Sequence, residues 1–143
     1  MATIIEDIVV DGTPGETWDA VRDVGAVHIR LAPVFVTKAV YENGVRKITF
    51  GNGTEVFEPI VTLDEVRRRL VWTAQGGVTT HYNSSMQVVA EGRGARIIWT
   101  VDFLPDSATP RIAAAMKAGV VAIGAHLGRG SANALSSTRA PSS

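Results

Sequence analysis

Glu58 lies in the run EVFEPIV, among Val56, Phe57, Ile60 and Val61, where a carboxylate is out of keeping with its neighbours. A basic partner stands upstream at Arg46, across the turn-forming GNG of residues 51–53. If that turn is a three-residue hairpin loop, Phe50 pairs with Thr54, Ile48 with Val56 and Arg46 with Glu58, all on one face. A loop one residue shorter or longer sends Glu58 to the other face. An inward ion pair is costly unless further hydrogen bonds offset its desolvation. It therefore points either to a polar ligand group or solvent in a cavity, or to a salt bridge that pins the hairpin. Tyr82 and Ser84 add two hydroxyls in a later alternating run. Glu58 and Tyr82 are the candidates for moving a proton, and Glu58 is a candidate partner for the Tyr82 hydroxyl.

Other chemistry finds less support. The three histidines, His28, His81 and His126, have no metal-ligand spacing, and no metal or cofactor is expected. GRGARI and GNGTEV imitate part of a dinucleotide fingerprint, but both join strand to strand rather than strand to helix. No serine has the context of a nucleophile elbow.

The chain has 143 residues, enough for one domain and one core, with 45% hydrophobic residues. Fourteen basic and fourteen acidic side chains cancel, so neither nucleic acid nor an anionic membrane surface is an expected partner. The absence of cysteine excludes disulfides and thiolate metal sites and suits a reducing interior. The N-terminus MATIIEDIVV carries Glu6 and Asp7 where a signal peptide needs an unbroken apolar run. The longest apolar stretch, AGVVAIGA, is too short to span a bilayer. A cytoplasmic protein without membrane insertion is expected.

The elements that must position these groups follow from period and punctuation. Residues 3–11 read as a strand closed by DGTPG. A helix then starts with Thr13 as N-cap, Pro14 in the first turn and Glu16 completing a capping box, with Trp18 and Val21 on its inner face. A short second helix near AVHIRL is stopped by Pro33. From Val36 to Leu104 the period becomes two, with six strands joined by turns too short for anything but antiparallel pairing. In the last of them Ile97, Trp99, Val101 and Phe103 face inward; in the one before, Tyr82, Ser84, Met86 and Val88 do; before that, Leu70, Trp72 and Ala74. Ile112, Met116, Val120, Ile123 and Leu127 then mark one stripe of a helix from about Pro110 to Leu135. Its other positions are mostly alanine and glycine, and Ala118 and Gly119 are where a larger side chain would fill any space beside it. The tail, 136–143, has little to bury and is expected to be disordered.

Strand, two small helices, six meandering strands and a long final helix is an order that resembles the START-like superfamily, in the SRPBCC branch of polyketide cyclase/dehydrase-like and pollen-allergen-like ligand-binding proteins. The carriers are TPGETWDAVRDVGAV, VRKITFGNGTEVFEPIVTLDEVRRRLVW and ARIIWTVDF, over about residues 3–130. The alanine- and glycine-rich final helix departs from relatives with larger side chains there. The resemblance implies an α+β helix-grip fold: a seven-stranded antiparallel curved sheet wrapped around the C-terminal helix, with two short helices between the first two strands, as one domain over 1–135. It also implies an internal cavity for a small hydrophobic ligand, and an acidic residue facing inward at Glu58, which favours the three-residue loop. Arg46, Ile48, Phe50, Val56, Glu58, Trp72, Tyr82, Ser84, Met86, Trp99, Phe103, Met116 and Val120 would then line it, though core packing explains the large ones equally well. The function implied is binding of an aromatic, polyketide- or lipid-like ligand. The alternatives are a polyketide cyclase/dehydratase-type enzyme using the same cavity, or an assembly factor using an exposed apolar surface. Phe57, Val61, Leu63 and Val71 are expected outside, where they would favour a homodimer through the outer sheet face.

Overall fold

The computed structural model describes residues 1–128. β1 (Ala2–Val10) leads to α1 (Pro14–Arg22), a 3₁₀ turn (Val24–Ala26) and α2 (Val27–Arg30). The α1 start is the expected capping box: the Thr13 hydroxyl accepts from the Glu16 amide at 3.1 Å, and the Glu16 carboxylate accepts from the Thr13 amide at 3.0 Å. A meander follows, β2 (Val36–Glu42), β3 (Val45–Phe50), β4 (Glu55–Asp64), β5 (Arg69–Thr73), β6 (His81–Glu91) and β7 (Gly94–Leu104), then α3 (Thr109–Leu127). The seven strands form one antiparallel sheet in the order β1-β7-β6-β5-β4-β3-β2, so β1 closes against β7 while β2 lies at the far edge. The buried stripe of α3, Met116, Val120 and Ile123, belongs to one core with Ile48, Trp72, Trp99 and Phe103 of the sheet. This is the expected helix-grip arrangement.

Two features set the register that matters. The GNG turn is a three-residue loop: the Phe50 amide donates to the Thr54 carbonyl at 2.8 Å and the Gly53 amide to the Phe50 carbonyl at 2.9 Å, with Gly53 at φ 89°. Arg46 accordingly pairs with Glu58 and Ile48 with Val56. Further along, a β-bulge between Ile60 and Thr62 shifts the β4–β5 register, so Ile60 opposes Trp72 but Leu63 opposes Leu70. The bulge corrects the expected outer patch. Leu63 pairs with Leu70 and so changes face, though it stays exposed with Phe57 and Val61, and Val71 is buried rather than exposed. α3 runs to Leu127, where Gly128 takes φ 83°, and the expected helix end at Leu135 lies outside the described residues. Residues 129–143, with the expected tail, lie outside the described residues.

Between α2 and β2 the chain passes through Pro33, Val34 and Phe35. Val34 has φ 77°, a conformation that a β-branched residue adopts only under constraint, and it is exposed. The constraint is the neighbouring hairpin tip: the Gly51 amide donates to the Phe35 carbonyl at 3.0 Å, and a Cβ on Gly51 would stand 2.6 Å from the Val34 carbonyl oxygen. Gly51→Ala should therefore force two backbones apart and cost about 1–3 kcal/mol, read as a lower urea midpoint with an unchanged slope.

Candidate functional site

A cavity of about 90 Å³ lies between the concave face of the sheet and α3. Its polar end is built by β3, β4 and β5. Arg46 donates from Nε to Glu58 Oε1 at 2.8 Å, its Nη2 stands 2.7 Å from the same oxygen, and its Nη1 donates to the Val24 carbonyl at 3.3 Å. The guanidinium carbon also lies 5.1 Å from the centre of the Trp72 ring. Arg46 is 4% exposed and Glu58 7%. Both charges are thus out of water, and carboxylate, carbonyl and ring together replace the hydration that Arg46 has lost.

Apart from Tyr82 the remaining lining is apolar, and the sheet supplies Ile48, Phe50, Leu70, Met86 and Trp99. Val21, Val27, Leu31 and Ala32 come from α1, α2 and the turn after it, with Phe35 and Val36 from the following loop and strand. α3 supplies Ile112, Ala115, Met116, Gly119 and Ile123. Phe35 meets Phe50 edge-on with ring centres 5.2 Å apart. Gly119 brings α3 close against this wall: a Cβ there would stand 2.8 Å from Trp99 Cζ3 and 3.2 Å from Phe35 Cε2. Phe35, Phe50, Tyr82, Ile112 and Ala115 are the lining residues that retain exposure, and the cavity meets solvent among them.

Of the residues singled out in the sequence, Arg46, Ile48, Phe50, Glu58, Trp72, Tyr82, Met86, Trp99 and Met116 face the cavity. Val56, Ser84, Phe103 and Val120 do not line it and belong to the packed interior. Ser84 is buried with its hydroxyl accepting from Trp99 Nε1 at 2.8 Å. Ala118 points outward, unlike Gly119. No hydrogen bond joins Tyr82 to Glu58; the carboxylate acts on the phenol through its charge. The contributions of α1, α2 and the loop, and those of Ile112, Ala115 and Ile123 on α3, were missed, because no strand alternation marks them. Proline at 33 and the small residues of α3 were the available signals.

Burial pushes the Glu58 carboxyl above its usual range, and the charge and hydrogen bonds of Arg46 offset this only in part. The Trp72 indole also favours the carboxylate, but it lies outside hydrogen-bonding geometry. Tyr82 is raised well above the ordinary tyrosine range, first by burial and then by the Glu58 charge, so its phenol stays protonated at neutral pH. His81 and His126 are exposed, and among the described residues no cluster of histidine, aspartate and glutamate could hold a metal ion.

Removing one member of the buried pair leaves the other uncompensated. Arg46→Met or Glu58→Leu alone should cost about 3–5 kcal/mol, and the double variant less than the sum, measured by a double-mutant cycle in urea. The pH dependence has a definite sign. A carboxyl raised on folding binds its proton more tightly in the native state, so its contribution to stability grows as pH falls from the raised value toward the usual 4.5 and is lost as pH rises. The stability difference between the native protein and Glu58→Gln should therefore move in favour of the native protein across that acid window, and a flat difference would contradict the burial-dominated shift.

The chain matches the profile of the family described as polyketide cyclase / dehydrase and lipid transport over residues 1–129. No curated protein matches it in sequence. Among solved structures it resembles the protein XoxI from Bacillus cereus, with 17% identity, a TM-score of 0.78 and coverage of 90% of this chain and 97% of that one. The di-domain ARO/CYC BexL of the BE-7585A biosynthetic pathway superposes with a TM-score of 0.77 at 15% identity, over 88% of this chain and 46% of that one. Major latex-like protein 151 of Panax ginseng gives a TM-score of 0.70 at 16% identity, over 88% and 97% of the two chains. At these identities the structural neighbours speak for the fold alone, but the profile match spans nearly all of the sequence, and the chain belongs to the polyketide cyclase / dehydrase and lipid transport family.

Proposed function

We propose that this protein binds a small hydrophobic ligand, aromatic, polyketide- or lipid-like, in the cavity between the sheet and α3. The observation that carries this reading is an apolar cavity, opening among Phe35, Phe50 and Ile112, that ends on a buried charged pair. Apolar walls with a few convergent polar groups are the usual make-up of a ligand pocket. The void is small, below the roughly 150 Å³ at which an engineered apolar cavity accepts benzene. A larger ligand enters by displacing half-buried side chains at the mouth, with Phe35 foremost. The family description, which includes lipid transport, is in keeping with this.

A cyclase/dehydratase-type enzyme is the second reading, favoured by one observation: the Glu58 carboxyl is raised toward a range useful for general acid–base work. Its engagement by Arg46 weighs against free proton transfer, so binding is the leading reading.

Titration with an apolar fluorescent probe should saturate near one site per chain. Gly119→Leu, which fills the gap against Trp99 and Phe35, should weaken the probe about tenfold or more, as overpacking by 1–3 kcal/mol implies. Ala118→Phe, on the exposed side of the same helix, should leave affinity unchanged. A folded Gly119→Leu variant that binds the probe as tightly as the native protein would refute the cavity as the site.

A further inference from the structure

The protein has three tryptophans, and two of their indole nitrogens are accounted for. Trp18 Nε1 donates to Glu65 Oε1 at 2.7 Å, and Trp99 Nε1 to Ser84 Oγ at 2.8 Å. Trp72 Nε1 is buried and finds no acceptor among the described residues. A buried N–H without a partner is uncommon in a folded interior, because the hydrogen bond to water has been given up without replacement. Trp72 is 4% exposed and forms part of the cavity wall beside Arg46 and Glu58.

The carboxylate next to it is also incompletely used. Both short contacts from Arg46 fall on Glu58 Oε1, and among the described residues no hydrogen bond reaches Oε2. That the indole helps to hold Glu58 in its charged form places the two groups in each other's range. Besides the Tyr82 hydroxyl, the polar end of the cavity therefore offers the Trp72 N–H and the Glu58 carboxylate as neighbouring donor and acceptor, in an ion pair with Arg46 whose net charge is zero. A ligand carboxylate would face Glu58, and an ammonium would face Arg46. A ketone can accept from Trp72 but has no hydrogen for the carboxylate. A neutral hydroxyl does both.

We propose that the cavity selects ligands carrying a neutral hydroxyl on an apolar ring, with the hydroxyl oxygen accepting from Trp72 Nε1 and its hydrogen donated to Glu58. The ring then lies along Leu70, Met86 and Ile48, toward the opening at Phe35. This rests on the ligand-binding reading above and adds to it the chemistry of the recognised group.

Phenol and toluene, alike in shape and differing in hydroxyl against methyl, test it with protein labelled with nitrogen-15. The three indole N–H resonances are assigned by triple-resonance experiments. Saturating phenol should move the Trp72 resonance downfield and toluene should not, while both ligands bind. Trp72→Phe should shift the phenol-to-toluene affinity ratio about tenfold toward toluene, the effect of losing one hydrogen bond in a dry site. An unmoved Trp72 resonance under saturating phenol, or a ratio unchanged in the variant, overturns the hydroxyl assignment while binding of both ligands leaves the cavity reading intact. If neither ligand binds, the cavity reading falls and this proposal with it. Should Trp72→Phe fail to fold, the resonance of the native protein decides alone.

Discussion

Arg46 and Glu58 meet where water is absent, and much of the surrounding geometry serves to make that tolerable. The pair exists because a three-residue turn sets β3 against β4 with these two residues opposite each other. A shift by one residue would send Glu58 to the outer face and turn Phe57 inward opposite Arg46. Once formed, the pair does more than close a hairpin. Arg46 also holds the Val24 carbonyl, tying the sheet to the 3₁₀ turn before α2, and it lies over Trp72 of β5. Three walls of the cavity thus converge on one guanidinium. Carboxylate, carbonyl and ring provide enough interactions for Arg46, whereas Glu58 receives too few to offset its burial, and its carboxyl rises.

The space next to the pair depends on small residues as much as on large ones. Trp72, Trp99, Phe35 and Met86 would close the interior if α3 carried ordinary side chains toward them. Instead Gly119 brings the helix backbone against Trp99, and Ala115 stands at the opening. An unfilled void of about 90 Å³ forgoes roughly 2 kcal/mol of packing, at about 24 cal/mol per Å³. A domain of this size can bear that loss only because the rest of its core, from Val10 to Ile97, Val101 and Phe103, is closed to solvent.

The architecture was legible because its signals are local and repeated: the capping box at Thr13, the change of period at Val36, and alternation strong enough to give the inward set of β6 and β7. Arg46 opposite Glu58 was legible too, although only with the loop length settled. What escaped has physical reasons. The bulge at Ile60–Thr62 is one extra residue in a run where every side chain is apolar enough to face either way, so Leu63 was assigned to the wrong face. The pairing of Ser84 with Trp99 depends on two strands meeting at one register position, Ser84 opposite Val101 and Met86 opposite Trp99, which no single run encodes. Phe35 follows a valine at positive φ in a loop without period, and nothing in PVFV states that its ring reaches α3.

These two kinds of element divide the cavity. Its deep end is made of strand residues whose positions follow from register, so the directions of Arg46, Glu58 and Trp72 are fixed before any ligand arrives. Its mouth is made of a constrained loop, a hairpin tip and a helix with small side chains, held to one another by the Gly51–Phe35 hydrogen bond and by ring contacts rather than by a ladder. Displacing Phe35 costs its contacts with Phe50 and Gly119 but leaves the β3–β4 pairing whole. The cavity thus has fixed chemistry at one end and adjustable volume at the other. If the ligand-binding proposal holds, that arrangement places selectivity in the polar group of the ligand and leaves size to how far the loop at Val34 yields.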